Sequence, residues 1–184
     1  MGTLFVDKLD PQSGTSLEIG SSGDTITIPS GATITNSGTA TGFGEANTPS
    51  FRANPASGTT VANDTATKIA FTTEVYDTDS AYDASNSKFV VPSGKAGRYF
   101  FVAMLEYNIT SATTSARVQI RKNGSIALAK AGYNSYYDNN LVCGVLNLVA
   151  GDYIEVYGYH NSGGSQATQT GTASTYFAGF KVDS

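Results

Sequence analysis

The chain contains few side chains that could act as a nucleophile or a base at neutral pH. Among its 184 residues there is one histidine, His160, and one cysteine, Cys143. No Gly-x-Ser-x-Gly elbow accompanies the histidine, so a Ser-His-Asp triad has no support in the sequence. Cys143 lies in the apolar run NNLVCGVLNL, which predicts a buried, inert thiol because a reactive cysteine needs an electropositive, partly open site. We therefore predict a protein that is not an enzyme, with glycan hydrolysis by paired carboxylates as the alternative.

An acidic stretch, VYDTDSAYDAS, provides carboxylates of the kind that bind calcium. Its aspartates are Asp77, Asp79 and Asp83, but they do not fit an EF-hand loop, because Ala81 occupies the position of the third ligand and no glycine follows. The chain also has no phosphate-binding glycine loop. We predict an acidic, turn-rich loop and no metal or cofactor, with calcium at these aspartates left open as the alternative.

Two stretches rich in Tyr, Asn, Ser and Gly are candidates for binding a partner. They are GYNSYYDNN at residues 132–140 and HNSGGSQATQTGTAS at residues 160–174. Tyrosine gives a rigid, amphipathic contact, and the small polar residues give adaptable hydrogen bonds, as in antibody paratopes. The alternative is that these are ordinary loops with structural tyrosines. Because tyrosine rings also stack on sugar rings, we predict a receptor surface for a host cell-surface glycan at Tyr133, Tyr136, Tyr137 and His160.

The composition argues against several classes of partner. Charged residues make up 14% of the chain and the net charge is −4. Nucleic-acid affinity depends on many Lys and Arg contacts to phosphate, and anionic membranes attract basic clusters, so neither partner is expected. The longest apolar run is too short and too interrupted to cross a bilayer, and the first residues lack the apolar core of a signal peptide. A single cysteine allows no intrachain disulfide, which fits synthesis in a reducing cytoplasm.

The elements that must position these residues are strands. Short runs rich in Val, Thr, Tyr and Phe alternate with clusters of Gly, Asn, Asp and Ser, and no helical periodicity is present. In KFVVPSGKAGRYFFVAMLEYN the strand from Tyr99 is apolar on both faces, whereas a strand with one solvated face should alternate apolar and polar residues. The stretch GDYIEVYGYH behaves similarly, with Tyr157 on its aromatic side. We predict that a second sheet covers one face and a neighbouring subunit covers the other.

The segment SGDTITIPSGATITNSG is an internal repeat. SGDTIT at residues 22–27 is echoed by SGATIT at residues 30–35, and a weaker copy, SGTAT, follows. One isoleucine per unit cannot offset about 1–2 kcal/mol of ordering entropy per residue in a single chain. Three chains around a shared axis could bury these side chains together, so we predict a stalk with Ile26 and Ile34 in its core. A flexible linker is the alternative.

From residue 50 onward the chain carries a series of strand motifs: SFRAN, TKIAF, YDASNSKFVVPSGKAGRYFF, VQIRKNGS, GVLNLVAGDYIEVYGY and STYFAGFKV. This ordered set resembles the C1q-like globular domain of the C1q/TNF superfamily. The resemblance implies an all-β, ten-stranded antiparallel jelly-roll sandwich that assembles as a homotrimer. We therefore predict a C1q/TNF-like domain at residues 51–184, preceded by a short β-repeat extension at residues 1–50. The resemblance also implies trimer-facing and core aromatics at Phe89, Tyr99, Phe101, Phe177 and Phe180. We add Tyr157 to this set.

The repeat segment is similar to stretches common in tailed-bacteriophage virion proteins, where such repeats precede a C-terminal trimeric domain. Together the two resemblances imply a homotrimeric structural protein of a phage virion with a tail-fibre or receptor-binding role. Residues 1–50 would attach it to other virion proteins. The alternative is a capsid decoration, cement or head-fibre protein, held on the head through the same segment. The predicted location is the virion surface, on tail or head, after synthesis in the host cytoplasm.

Overall fold

A computed structural model describes residues 9–37, 47–107, 115–132 and 139–182. The regular elements of the described residues are strands, as the alternating sequence predicts. No helix long and apolar enough to cross a membrane is present among these residues. The strands are β1 (Ser50–Asn54), β2 (Thr60–Val61), β3 (Thr67–Lys68), β4 (Thr73–Asp77), β5 (Tyr82–Asp83), β6 (Lys88–Val90), β7 (Gly97–Glu106), β8 (Ala116–Lys122), β9 (Ser125–Gly132), β10 (Asn139–Leu148), β11 (Tyr153–His160), β12 (Gln166–Ala167) and β13 (Tyr176–Lys181).

Most of these strands belong to two antiparallel sheets. The first sheet has the order β10-β7-β13-β1-β4, and the second has the order β5-β6-β11-β8-β9, with β3 paired to β11. A small third sheet joins β12 to β2. Strands that are distant in sequence lie side by side, as β13 does between β7 and β1, which is the strand arrangement of a jelly roll. The predicted all-β sandwich is therefore confirmed.

The long strand β7 shows how the sequence pattern places side chains in this fold. It pairs with β10 on one side and with β13 on the other, without a register shift. Because side chains of a strand alternate between its faces, every second residue of β7 points into the space between the sheets. These inward residues have 0% exposure: Tyr99, Phe101, Ala103 and Leu105.

Aromatic rings fill much of the space between the two sheets. The ring of Phe51 stacks on Tyr82 at 4.9 Å between centroids and on Phe89 at 5.0 Å, and it meets Phe177 edge-on at 4.8 Å. Aromatic pairs of this kind contribute about 0.5–1.5 kcal/mol beyond the burial of their surface. Four of the predicted core or trimer-facing aromatics are fully buried inside one chain: Phe89, Tyr99, Phe101 and Phe177.

The chain divides into two compact units, residues 1–41 and residues 42–184. The domain boundary predicted at residue 50 stays a prediction; the division lies between residues 41 and 42, and β1 begins at Ser50. In the first unit the described residues form turns and bends but no strand. All of residues 12–37 are exposed, including the predicted stalk residues Ile26 and Ile34.

Candidate functional site

The outer surface of the first sheet carries an apolar patch that crosses three strands. The inward residues of β7 alternate with Phe100, Val102 and Met104, which therefore point away from the core. The register of β7 with β10 and β13 places further side chains beside each of these three. The resulting surface, which we name the apolar face, has three rows across the sheet: Val145–Phe100–Phe180, Cys143–Val102–Ala178 and Leu141–Met104–Tyr176.

Large side chains of the apolar face remain in contact with solvent. Val145 is 53% exposed, Phe180 is 38% exposed and Leu141 is 37% exposed. The rings of Phe100 and Phe180 lie 5.5 Å apart between centroids, so they form one continuous aromatic surface. Soluble monomers rarely expose a contiguous apolar patch of this kind, and such patches mark interaction sites.

Arg52 closes one side of the apolar face with a fixed polar rim. Its guanidinium carbon lies 4.4 Å from the centroid of the Tyr176 ring, and Nη2 donates a hydrogen bond of 2.6 Å to the carbonyl oxygen of Thr172. On β4, Tyr76 lies opposite Arg52 and is 48% exposed. A polar rim around an apolar centre is the usual anatomy of a protein–protein interface.

The thiol of Cys143 belongs to the apolar face and is exposed, so the prediction of a buried cysteine is wrong. Its neighbour Val142 points inward and is only 6% exposed. The apolar run around Cys143 supplies both faces of β10, and hydrophobicity therefore could not show which residues point inward. The register between β10 and β7 decides this, and that register is a tertiary feature.

The outer surface of the second sheet carries a row of tyrosines, and each has a cation over its ring. The guanidinium carbon of Arg121 lies 3.9 Å from the centroid of the Tyr157 ring, which is within the range of a cation–π contact. The corresponding distances are 4.9 Å from Arg117 to Tyr159 and 5.5 Å from Lys88 Nζ to Tyr153. We name these residues the tyrosine–arginine face: Lys88, Arg117, Arg121, Tyr153, Tyr157 and Tyr159.

Neighbouring polar groups hold the centre of this face in place. Arg121 donates to Oε1 of Gln119 from Nε at 3.1 Å and from Nη2 at 2.9 Å. The carboxylate of Glu155, which lies between the tyrosines of β11, pairs with Lys68 Nζ at 2.5 Å. Glu155 and Gln119 are both buried, and each has its charge or dipole matched by these partners.

A second set of contacts fixes the end of the face near Arg117. Its Nε donates to Ser115 Oγ at 3.1 Å, and the phenol of Tyr159 donates to Asp64 Oδ1 at 2.8 Å. The hydrogen bond to Asp64 is the main cause that raises the pKa of Tyr159. In the described ranges, the ion pairs with carboxylates involve neither Arg117 nor Arg121. The face thus holds two guanidinium groups, each placed over a tyrosine ring.

Two of the predicted trimer-facing aromatics lie on opposite sides of the sandwich. Phe180 belongs to the apolar face of the first sheet, whereas Tyr157 belongs to the tyrosine–arginine face of the second sheet. Together with the buried rings of Tyr99, Phe101 and Phe177, the predicted set is therefore divided among three environments. Among these five residues, only Phe180 lies on the exposed apolar surface of the first sheet.

His160 was predicted to lie on a receptor surface, and the structure contradicts this because the residue has 0% exposure. Its Nε2 lies 2.8 Å from the carbonyl oxygen of Val61, and its Nδ1 lies 3.0 Å from Ser162 Oγ. Since a carbonyl only accepts, Nε2 carries the proton. The period of two from Ile154 already assigns His160 to the inward side of β11, and that signal could have placed it correctly. The other predicted surface residues lie outside the described residues: Tyr133, Tyr136 and Tyr137.

The acidic stretch is a set of turns whose carboxylates bind protein groups. Asp77 accepts from the amide of Tyr82 at 2.8 Å and from the amide of Asp79 at 3.3 Å. Asp83 accepts from the side-chain and backbone nitrogens of Asn86, and these hydrogen bonds lower its pKa. No three His, Cys, Asp or Glu side chains come together as metal ligands within the part of the chain that the structure describes.

Comparisons with known proteins agree with this arrangement of sheets. A family model described as "C1q domain" matches residues 50–182. The globular domain of zebrafish complement 1qA is 17% identical, covers 73% of this chain and 97% of its own, and superposes with a TM-score of 0.50. Murine APRIL, in a crystal structure at pH 5.0, is 16% identical, with coverages of 72% and 98% and a TM-score of 0.58. A search of curated proteins found no match.

At identities of 17% and 16%, the likeness to these two solved structures shows a shared fold alone. The family match shows more than the fold, because it covers more than half of the chain and contains all thirteen strands of the described residues. Domains of the C1q/TNF type typically form homotrimers and are typically without enzymatic activity. The sandwich, its strand order and the family match together show that this chain belongs to the C1q domain family.

Proposed function

We propose that this protein is a non-enzymatic structural protein of a tailed-phage virion, with a homotrimeric, receptor-binding head in a tail-fibre or adhesion role. The observation that carries the proposal is the apolar face, which a single chain leaves exposed. The tendency of the family to form homotrimers supports the assembly. The similarity of the Ser-Gly/Thr-Ile repeats to segments of phage virion proteins supports the phage assignment.

Three copies of the domain would cover their apolar faces against one another. Fully burying a Phe, Leu or Val side chain is worth about 1.5–3 kcal/mol. In each chain Phe180, Leu141 and Val145 would contribute their exposed surface. Around a three-fold axis each copy meets the other two, so the assembly closes without leaving an unpaired copy. This arrangement accounts for a central strand, β7, that is apolar on both sides.

The tyrosine–arginine face would point outward in such a trimer, because it lies on the opposite sheet from the apolar face. We propose this face, in place of the buried His160, as the receptor surface for a host cell-surface glycan. Tyr133, Tyr136 and Tyr137 remain proposed members of the receptor surface. Three copies of a weak site on one particle gain avidity against a repetitive target.

The chemistry of this face favours a glycan that carries carboxylate groups. A guanidinium held over a tyrosine ring retains N–H donors that match a carboxylate in a bidentate hydrogen bond. In Arg121 these are the donors on Nη1 and Nη2 that the contacts to Gln119 leave over. Arg117 and Arg121 are both held in this way. The tyrosine hydroxyls beside them can exchange hydrogen bonds with sugar hydroxyls. An acidic polysaccharide therefore fits the face better than a neutral one.

Light scattering on the full chain tests the trimer. Three chains of 19.1 kDa have a mass of about 57 kDa, which is the expected result. A mass near 19.1 kDa at micromolar concentration would remove the structural basis of the proposal.

Binding to alginate oligosaccharides, with dextran as the neutral control, tests the receptor surface. We expect an Arg121→Gln trimer to lose about tenfold or more in apparent affinity, because one charge-assisted contact of about 1.5–3 kcal/mol is removed from each chain. Lys95→Gln is the matched control, since it also removes one positive charge but lies in the loop between β6 and β7, outside both faces. Equal binding of the two variants would show that the tyrosine–arginine face is not the site. Shortening of the oligosaccharides would show that the protein is an enzyme.

Labelling of intact virions with gold-conjugated antibody tests the location. Label on the tail is the result expected for a tail fibre or receptor-binding protein. Label on the capsid would instead assign the protein to the alternative class, a decoration, cement or head-fibre protein attached through residues 1–50. Virions without label would contradict the phage assignment.

A further inference from the structure

The N-terminal unit contains a structural repeat that begins earlier than the repeat visible in the sequence. Gly23 and Gly31, of the two evident repeats, have positive φ angles of 93° and 87°. Gly14 has the same left-handed backbone, with φ at 79°, and it too follows a serine. Three positions after each glycine there is an exposed aliphatic side chain: Leu17, Ile26 and Ile34. The repeat therefore has three copies within residues 13–36.

Hydrogen bonds show that two of these copies turn the chain in the same way. The amide of Asp24 donates to the carbonyl oxygen of Ser21 at 2.9 Å, and the amide of Ala32 donates to that of Pro29 at 3.1 Å. In both turns glycine is the third residue, where the positive φ of a type II turn requires it. The Asp24 carboxylate also accepts from the amide of Ser21 at 2.7 Å. The chain thus makes the same turn twice, eight residues apart.

Between the turns, apolar and polar side chains alternate with a period of two. In an extended chain, residues two positions apart lie on the same side. Paired as strands, Leu17 and Ile19 would share a side, and Ile26 and Ile28 would share the corresponding side of the next copy. These four side chains are 46% to 61% exposed. The positions before and between these side chains are polar, as are those on either side of Ile34: Ser16, Glu18, Thr25, Thr27, Thr33 and Thr35.

We propose that residues 13–36 of three chains lie side by side and in register, as a three-rung stalk. The partner of this segment is the same segment in two further copies of this chain. Leu17 with Ile19, Ile26 with Ile28, and Ile34 face the common axis in successive rungs. The proposal rests on the homotrimer proposed above, because the heads bring three N-terminal units together at high effective concentration.

Self-association is favoured over a different partner by the match between repeats. Identical chains in register place each turn and each aliphatic pair at the same height, whereas a different protein would need the same spacing of eight to nine residues. The alternation also directs the carboxylate of Glu18 away from the axis, where three like charges are screened by solvent. The backbone of one chain, which forms no strand within residues 9–37, would gain strand partners from its copies.

Disulfide trapping tests the stalk on the full chain in a Cys143→Ser background. Ile26→Cys places a thiol on the proposed axis, and Thr27→Cys places one on the opposite side of the same rung. Under mild oxidation we expect at least fivefold more covalent dimer from Ile26→Cys than from Thr27→Cys. Ile34→Cys and Thr35→Cys form a second matched pair, with the same expectation for the next rung.

The mass of the chain separates failure of the stalk from failure of the homotrimer. Equal trapping within both pairs, at a light-scattering mass of about 57 kDa, would overturn the stalk and leave the trimeric head in place. A mass near 19.1 kDa with no trapping at any position would overturn both. Preferential trapping at Ile26 but not at Ile34 would limit the stalk to its first two rungs and contradict the three-rung arrangement.

Discussion

At the scale of single residues, Asp152 holds two turns of the domain together. Its Oδ1 accepts from Asn123 Nδ2 at 2.7 Å, in the turn between β8 and β9. Its Oδ2 accepts from the amide of Val149 at 2.9 Å, in the turn between β10 and β11, and pairs with Lys122 Nζ at 2.8 Å. These contacts, the Lys122 hydrogen bond above all, lower the pKa of Asp152 from 3.8 to about 2.

We expect Asp152→Asn to lower the free energy of unfolding by about 1–2 kcal/mol at pH 7, since a carboxylate that accepts from a charged and two neutral donors is replaced by an amide. A carboxylate with a depressed folded pKa stabilises the fold above its unfolded pKa and loses this contribution as pH falls through the folded value. The difference between wild type and variant should therefore shrink between pH 3.8 and about pH 2. Urea denaturation at several pH values measures it.

The exposed Glu74 on β4 provides the control for this measurement. Glu74→Gln makes the same carboxylate-to-amide change away from the two turns, and we expect a change within about 0.5 kcal/mol. A constant difference between wild type and Asp152→Asn from pH 7 to pH 2 would show that the charge of Asp152 does not stabilise the fold.

Side-chain direction was the part of the site that the sequence predicted least well at this scale. The inward position of His160 follows from the period of two along β11, yet its loop-like neighbours Asn161 to Gly164 suggested a surface residue. Cys143 shows the opposite error, because both faces of β10 are apolar and the period carries no information. Where one face of a strand is apolar, the sequence settles direction, and where both faces are apolar only the register does.

At the scale of strands, the pairing of β13 with β7 depends on a residue without a side chain. A methyl group on Gly179 would lie 2.5 Å from Phe101 Cδ1 and 2.9 Å from the carbonyl oxygen of Phe100. The ring of Phe101 has no room to move aside, because it stacks on Tyr99 and packs against Phe177 in the core. This close approach fixes how near the two strands lie to each other.

We expect Gly179→Ala to lower the free energy of unfolding by about 1–3 kcal/mol, the usual cost of overpacking a core. Denaturant unfolding monitored by tyrosine fluorescence measures the change. Gly164→Ala is the control, since a methyl group there meets no atom within 4 Å and Gly164 has no left-handed backbone. Equal stabilities of the two variants would mean that the space beside Phe101 is larger than the structure shows.

The long strands could be predicted from the sequence, but the short ones could not. β7 and β11 carry a period of two over eight or more residues, which is enough for the pattern to be recognised. β2, β3, β5 and β12 have two residues each, which is too short for any period. They exist because a neighbouring strand offers hydrogen bonds to them, as β11 does to β3. Strand partners of this kind are set by the fold as a whole.

At the scale of the whole molecule, the two outer surfaces of the domain have different chemistry. The first sheet presents the apolar face, with exposed aliphatic and aromatic carbon, and the second presents cations on tyrosine rings. The family resemblance predicted a trimer and included Phe180 among its facing aromatics, and the strand pattern led us to add Tyr157 to the same set. Only the sheet topology shows that they lie on opposite sides, and it thereby separates a surface suited to assembly from one suited to a polar ligand.

Phe180→Asp should convert the proposed trimer into a folded monomer. Around the axis the substitution removes three aromatic side chains, each of which would bury the 38% of its surface that one chain leaves exposed, and places three carboxylates close together in a site that excludes water. Because Phe180 is 38% exposed within one chain, the core of the domain should tolerate the change. We expect the light-scattering mass to fall from about 57 kDa to near 19.1 kDa, with the circular dichroism spectrum of the sandwich retained.

Ile126→Asp is the matched control for this substitution. Ile126 is 57% exposed on β9 of the second sheet, so it receives the same new charge at an exposed apolar position away from the apolar face. If both variants remain trimers, the apolar face is not the contact between copies and the assembly must use other surfaces. If Ile126→Asp alone dissociates, the second sheet carries the contact, and the outward position of the tyrosine–arginine face is lost with it. Dissociation of Phe180→Asp alone is the outcome that the exposed rows of the first sheet require.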